Sequence, residues 1–223
     1  MQPNLLYYGD NLPILRNRDY FPSESIDLIY LDSPFKSDQD YNVLFSEANG
    51  SASAAQVAAF RDTWRWDATA RHAFDEMIET GGRPAEALAA LRGLVGESDM
   101  LAYLSMMAPR LVELRRVLRK SGSLYLHCNS FADSYLRVLL DSVFDNGLRC
   151  EVIWDKGFRG TERKRNWQQS HDVLLFYTKT DEYTWNDIFQ EYADPTMSRY
   201  NQTDEEGNSF ALIKRRRSKD GSV

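Results

Sequence analysis

Apolar and polar positions along this chain switch between a strand-like and a helix-like rhythm. The run Leu5-Leu6-Tyr7-Tyr8 predicts a first strand, and residues 26–31 (Ile-Asp-Leu-Ile-Tyr-Leu) predict a second, buried one. Between them, Leu12 and Leu15 mark the inner side of a short helix over 11–18. Residues 36–49 are polar with scattered aromatics and read as a loop over a site. Helical spacing of Phe60, Trp64 and Phe74 predicts helices over 54–66 and 69–78, with both Trp64 and Trp66 packing between helices and sheet. Gly81-Gly82-Arg83-Pro84 breaks that region, and an alanine- and leucine-rich helix resumes over 85–94. The clearest helix covers 100–118, where Leu101, Leu104, Met107, Leu111, Leu114 and Leu118 form an apolar stripe; Arg110 and its fellow arginines lie mostly off it.

Lys120-Ser121-Gly122 stops that helix before a third strand over 123–127. A helix over 131–143 and strands over 150–154 and 172–177 follow, the last two joined by a basic loop. Beyond residue 179 the rhythm weakens, so 181–223 is expected to be irregular. Strands alternating with helices predict an α/β fold with a mostly parallel sheet. Ligands of such sheets gather outside the carboxyl ends of the strands. Asp10 and Asp32 both fall at such ends.

Composition adds limits. With 43% hydrophobic and 13% aromatic residues, a chain of 223 can bury a substantial core. No apolar run has the length of a membrane span, and the first residues lack the basic and apolar regions of a signal peptide. Cys128 and Cys150 form no close pair, so a soluble cytoplasmic protein with two reduced thiols is expected. Three histidines and two cysteines are scattered without ligand spacing, and no metal site is expected. The net charge of −6 does not by itself point to nucleic acid, but local clusters matter more than the total. Arg159, Arg163, Lys164 and Arg165 form one such cluster, and Lys214 to Arg217 another.

The candidate chemistry lies in Asp32-Ser33-Pro34-Phe35. An exocyclic amine on a base is a poor nucleophile, because its lone pair is delocalised into the ring. Two acceptors aimed at its N–H bonds favour tetrahedral geometry and spread the developing positive charge. The Asp32 carboxylate and the Ser33 backbone carbonyl would be that pair. Pro34 stiffens the turn, and Phe35 offers a face on which an extruded base can stack. Asp10 suits a helix N-cap as well as a ligand contact. His127, on a strand, fits a hydrogen-bonded core histidine as readily as a functional one.

The order of motifs resembles that of the β-class DNA amino-methyltransferases. The matching pieces are Gly9-Asp10-Asn11-Leu12, the run from Ser25 to Phe35, Tyr41-Asn42-Val43-Leu44-Phe45, Asp62-Thr63-Trp64-Arg65-Trp66 and Met107-Ala108-Pro109-Arg110-Leu111. Leu118 to Cys128, Glu151-Val152-Ile153-Trp154 and Ser170 to Tyr177 complete them. The resemblance implies a Rossmann-like fold dependent on S-adenosylmethionine, with helices on both sheet faces. It implies a catalytic region over 1–180, carrying a helical insertion at about 46–100. Residues 181–223 would then begin target recognition or form a disordered tail.

Residue by residue, the resemblance makes Asp32, Ser33, Pro34 and Phe35 catalytic, with serine at the usual first proline. It sets Asp10 and Asp32 against the cofactor. Tyr41, His127, Asn129, Arg159, Arg163, Lys164 and Arg165 would face DNA. The acidic first position of the motif favours adenine N6. Cytosine N4 is the alternative target, and a non-catalytic DNA-binding or assembly fragment is the alternative class. The implied partners are double-stranded DNA and a restriction subunit or further C-terminal part, with room for a homodimer. The family's Gly-rich F-x-G-x-G loop has no match here, since Glu162 follows Phe158-Arg159-Gly160 where a second glycine belongs. An incomplete sheet is therefore expected.

Overall fold

The structure is a computed structural model, and it describes residues 4–33, 40–43, 57–61, 64–157, 170–187, 202–207 and 209–210. The chain divides into two units, Met1–Thr184 and Trp185–Val223. In the second, β7 (Gln202–Thr203) pairs antiparallel with β8 (Ser209–Phe210).

The long helix organises the first unit. Ser98 caps α4 (Asp99–Val117) by accepting a hydrogen bond from the Leu101 amide, and Asp99 complements the helix dipole. Its apolar stripe is buried: Leu101, Leu104, Met107 and Leu111 are at most 1% exposed. Against it lie α1 (Asn11–Arg16), α2 (Ala68–Thr80) and α3 (Gly82–Val95), and α5 (Asp133–Val143) joins the same layer. Leu118 ends α4 and starts β4 (Leu118–Cys128) without an intervening loop.

Four strands form the main sheet in the order β1 (Ile26–Asp32), β4, β6 (His171–Thr178), β5 (Leu148–Asp155). β1 runs parallel to β4, while β6 is antiparallel to both β4 and β5. The α/β class with a central sheet and helices stands. Within it, the expected parallel majority is corrected among the described strands to one parallel and two antiparallel pairings.

Period-two alternation divides the sheet into two faces. Leu124, Leu126 and Cys128 of β4, with Val173, Leu175 and Tyr177 of β6, join the helix core in one apolar cluster. The opposite face carries Leu28, Tyr30 and Trp154, each more than half exposed, beside a parallel stack of Tyr125 on Phe176 at 4.5 Å. The described helices supply their buried residues to the first of these faces, so helices on both faces are not found among the described residues. β1 is accordingly less buried than its apolar run implies. It is an edge strand, with Ile29 and Leu31 packed against the core and Leu28 and Tyr30 outward.

Other local expectations also change. Residues 5–8 form no strand; Leu5 and Leu6 are exposed, and no strand among the described residues pairs with them. The region expected to be helical over 54–66 contains β3 (Val57–Arg61), which pairs antiparallel with β2 (Asp40–Val43) inside the expected loop. Antiparallel pairing with β2 outweighs the helical preference of the alanines there, which is worth only about a few tenths of a kcal/mol per residue. Among the described residues, no helix is long and apolar enough to cross a membrane.

The two thiols have opposite environments. Cys128 is fully buried, and burial pushes its thiol up to about 12, whereas Cys150 is exposed. Since the thiolate is the reactive form, a disulfide-exchange reagent at pH 8 should titrate one thiol in the native protein and two in denaturant. Two equally fast thiols in the native protein would contradict this packing.

Candidate functional site

The site lies where the chain leaves β1. The parallel pairing sets Asp32 opposite His127, so both side chains project from the exposed face at the carboxyl end of the sheet. β6 enters the same edge through His171 and Asp172, and β5 leaves it through Trp154 and Asp155. A row of polar groups results. His127 Nδ1 stands 3.2 Å from Asp32 Oδ1, and its Nε2 stands 3.4 Å from Asp172 Oδ2. Lys156 Nζ donates to the other Asp172 oxygen at 2.7 Å. The Trp154 ring lies over the imidazole, nearly parallel, with centroids 5.6 Å apart. Asp32 is 63% exposed, while His127 and Asp172 are largely buried.

On the other side of Asp32 a cavity of about 450 Å³ opens. Asp10, Asn11, Asp32, Ser33, Trp64 and Arg110 line it, over a floor that includes Leu31, Met106 and Met107. Its volume falls in the range of small-ligand pockets. Asp10 caps α1, its Oδ1 accepting from the Leu12 amide at 2.9 Å. The same oxygen accepts from Arg110 at 2.6 Å, and Arg110 Nε donates to Asn11 Oδ1 at 2.8 Å. Arg110 also donates to the Met106 carbonyl on its own helix. One guanidinium therefore fastens the start of α1 to α4 and sets the position of the Asp10 carboxylate on the cavity wall.

Ser33 is buried, with its hydroxyl 3.5 Å from the Tyr103 hydroxyl, and Trp64 packs against that same tyrosine ring at 5.8 Å. At the position of the usual proline, the serine thus turns a polar group toward α4.

A model of the DNA methylase family matches residues 26–221. The chain belongs to the N6/N4 family of DNA methylases. That family is one of S-adenosylmethionine-dependent enzymes. The chain is 26% identical over 179 residues to the type III restriction-modification enzyme StyLTI Mod subunit of Salmonella typhimurium, covering 79% of this chain and 24% of that one. It is 24% identical to the type II methyltransferase M.EcaI of Enterobacter cloacae, covering 95% of this chain and 37% of that one. The chain thus spans about a quarter to just over a third of the length of these relatives. Among solved structures, M1.HpyAVI in complex with SAM gives a TM-score of 0.32 at 17% identity, covering 39% of this chain and 45% of that one.

In this methylase chain, the geometry brings together Asp10, Asp32 and Ser33 at one cavity, and His127 beside Asp32. Asn129 lies apart from that cavity: its side-chain oxygen accepts from the Phe131 and Ala132 amides, shaping the turn into α5. Pro34, Phe35, Arg159, Arg163, Lys164 and Arg165 lie outside the described residues, as does the Tyr41 side chain. Sequence reasoning missed Arg110, Trp64 and Asp172. Arg110 sits off an apolar stripe, where a solvent-facing role is the usual one. Its place one turn after Met106 and Met107 was the available signal.

Arg110→Met should loosen the α1 entry while leaving the sheet intact. Hydrogen exchange read by mass spectrometry is expected to speed up in peptides covering residues 9–16 and to stay unchanged in β4 and β6. Unchanged exchange over 9–16 would contradict the fastening role.

Proposed function

We propose that this chain is the catalytic region of a site-specific DNA methyltransferase of a restriction-modification system. Its substrate is the N6 amine of an adenine flipped out of duplex DNA, and its methyl donor is S-adenosylmethionine. One observation carries the reading: Asp32 ends β1 on the wall of a cavity that the Asp10 carboxylate also lines. An acidic first position in the motif supports adenine over cytosine. Similarity to type III Mod subunits accords with the restriction-modification setting.

The cavity residues fit the methyl donor. The Asp32 carboxylate favours a cationic ligand beside the Asp10–Arg110 ion pair, Trp64 offers an aromatic plane, and the volume accommodates a nucleoside-sized molecule. Asp10 and Asp32 would both face the donor. S-adenosylmethionine, when bound, supplies the methyl group on a sulfonium.

The chain's own residues act on the amine. The Asp32 carboxylate accepts one amine N–H and the Ser33 carbonyl accepts the other, which draws the nitrogen toward tetrahedral geometry. Positive charge grows on that nitrogen as it attacks, and an adjacent carboxylate already in place stabilises it without reorganising. Phe35 is assigned the stacking face for the extruded base, which offsets part of the unstacking cost at about 1–3 kcal/mol. The basic residues Arg159, Arg163, Lys164 and Arg165 are assigned contacts with the phosphate backbone, which would make binding steeply salt-dependent.

The test uses unmethylated phage-length DNA, S-adenosylmethionine and the purified chain, followed by nucleoside mass analysis. The expected product is N6-methyladenine. Asp32→Ala should lower its formation by about 100-fold or more, with the thermal midpoint and circular dichroism of the wild type retained. N4-methylcytosine would overturn the adenine assignment, and full activity of Asp32→Ala would overturn the role of the carboxylate.

A further inference from the structure

The geometry points to His127 as a positioning residue that holds the Asp32 carboxylate through its Nδ1 proton, with Trp154 fixing the plane of the imidazole and Lys156 offsetting the Asp172 charge at its far side. This rests on the reading of Asp32 as the acceptor of the target amine, and adds how that acceptor is kept in place.

A carboxylate that is 63% exposed at a strand end has several rotamers open to it. Each wrong rotamer removes the acceptor from the amine, and a misplacement of about 1 Å can cost about 100-fold in rate. Among the described residues, the charged or polar side chain facing the Asp32 carboxylate is His127, at 3.2 Å. Its ring is largely buried and cannot swing freely. Trp154, reaching over β6 from β5, stacks on the ring and fixes its plane. Asp172 faces the far nitrogen from β6 at 3.4 Å.

The proton's position follows from what each carboxylate already has. A neutral imidazole donates from one nitrogen and accepts at the other. Asp172 already receives the Lys156 ammonium at 2.7 Å, and Lys156 is itself held at the strand end, where its backbone N–H donates a hydrogen bond to the Ser170 carbonyl. Asp32 is supplied by His127 alone among these groups, and Nδ1 makes the shorter of the two approaches. A proton on Nδ1 therefore goes to the carboxylate that lacks the ammonium, while the far nitrogen faces a carboxylate whose charge Lys156 offsets. Lys156, Asp172, His127 and Asp32 thus follow one another from the end of β5 across β6 and β4 to β1.

Two measurements test this. The first needs no turnover: long-range nitrogen–proton correlation spectra of the three histidines, with His127 assigned by its loss in His127→Asn. A proton on Nδ1 is expected, and the Nδ1 signal should move in Asp32→Asn. A neutral ring carrying its proton on Nε2, or a signal indifferent to Asp32→Asn, overturns the proposal. The second is methyl transfer. Asparagine presents an amide N–H near the Nδ1 position, whereas glutamine presents it near Nε2. His127→Gln and His127→Ala should lower kcat by about 100-fold at little cost in KM for DNA, while His127→Asn should lose about tenfold less. Equal loss in the asparagine and glutamine variants, or loss confined to KM, overturns the proposal. An inactive wild type whose spectra still show the Nδ1 proton and its response to Asp32→Asn would support the linkage while removing the methyltransferase reading.

Discussion

The register of β1 on β4 is the constraint from which the site follows. Parallel pairing sets Leu31 opposite Leu126 and Asp32 opposite His127, so two apolar side chains enter the core together and two polar ones leave it together. A slip of one residue would exchange these roles, driving Asp32 toward α4 and exposing Leu31. The buried Leu124, Leu126 and Cys128 of β4 make that slip costly, because they anchor the partner strand against the helix layer. The Asp32 carboxylate is thus placed by packing energy at core residues on the opposite face of the sheet.

Two kinds of fastening then work on opposite sides of Asp32. Below it, Arg110 binds the cap of α1 to α4, so that the Asp10 carboxylate faces the cavity from a fixed helix start. Above it, the histidine row couples the strand ends across the sheet. The two carboxylates at the cavity belong to separate elements, and each has a cationic or protic partner drawn from another. Of the two carboxylates, Asp10 is offset by Arg110 on the cavity wall, so Asp32 carries the uncompensated negative charge there.

Much of this was legible in the residues. The stripe from Leu101 to Leu114 located α4, and the strands of the main sheet fell within a few residues of their expected positions. The motif from Asp32 to Ser33 marked the candidate site because ligands of α/β sheets gather at strand ends and the flanking motifs keep a family order. What stayed hidden depended on pairing over distance. Val57 to Arg61 becomes a strand through its partner β2, and no local period announces that. Leu5 and Leu6 form an apolar pair that no strand receives. The sense of β6 could not be read from composition, yet it decides that Asp172 arrives at the same edge as His127. Arg110 and Asp172 were hidden for the same reason: their roles come from partners about 100 and 45 positions away.

The central claim is that the cavity between Asp10 and Asp32 receives the methyl donor. Titration of S-adenosylmethionine into the isotope-labelled chain, followed by amide spectra, tests it most directly. The account predicts saturable shifts at Gly9, Asp10, Leu31, Asp32 and Ser33, with the far strand ends of β5 unaffected. Saturable shifts confined to other residues, or none at millimolar donor, would contradict it.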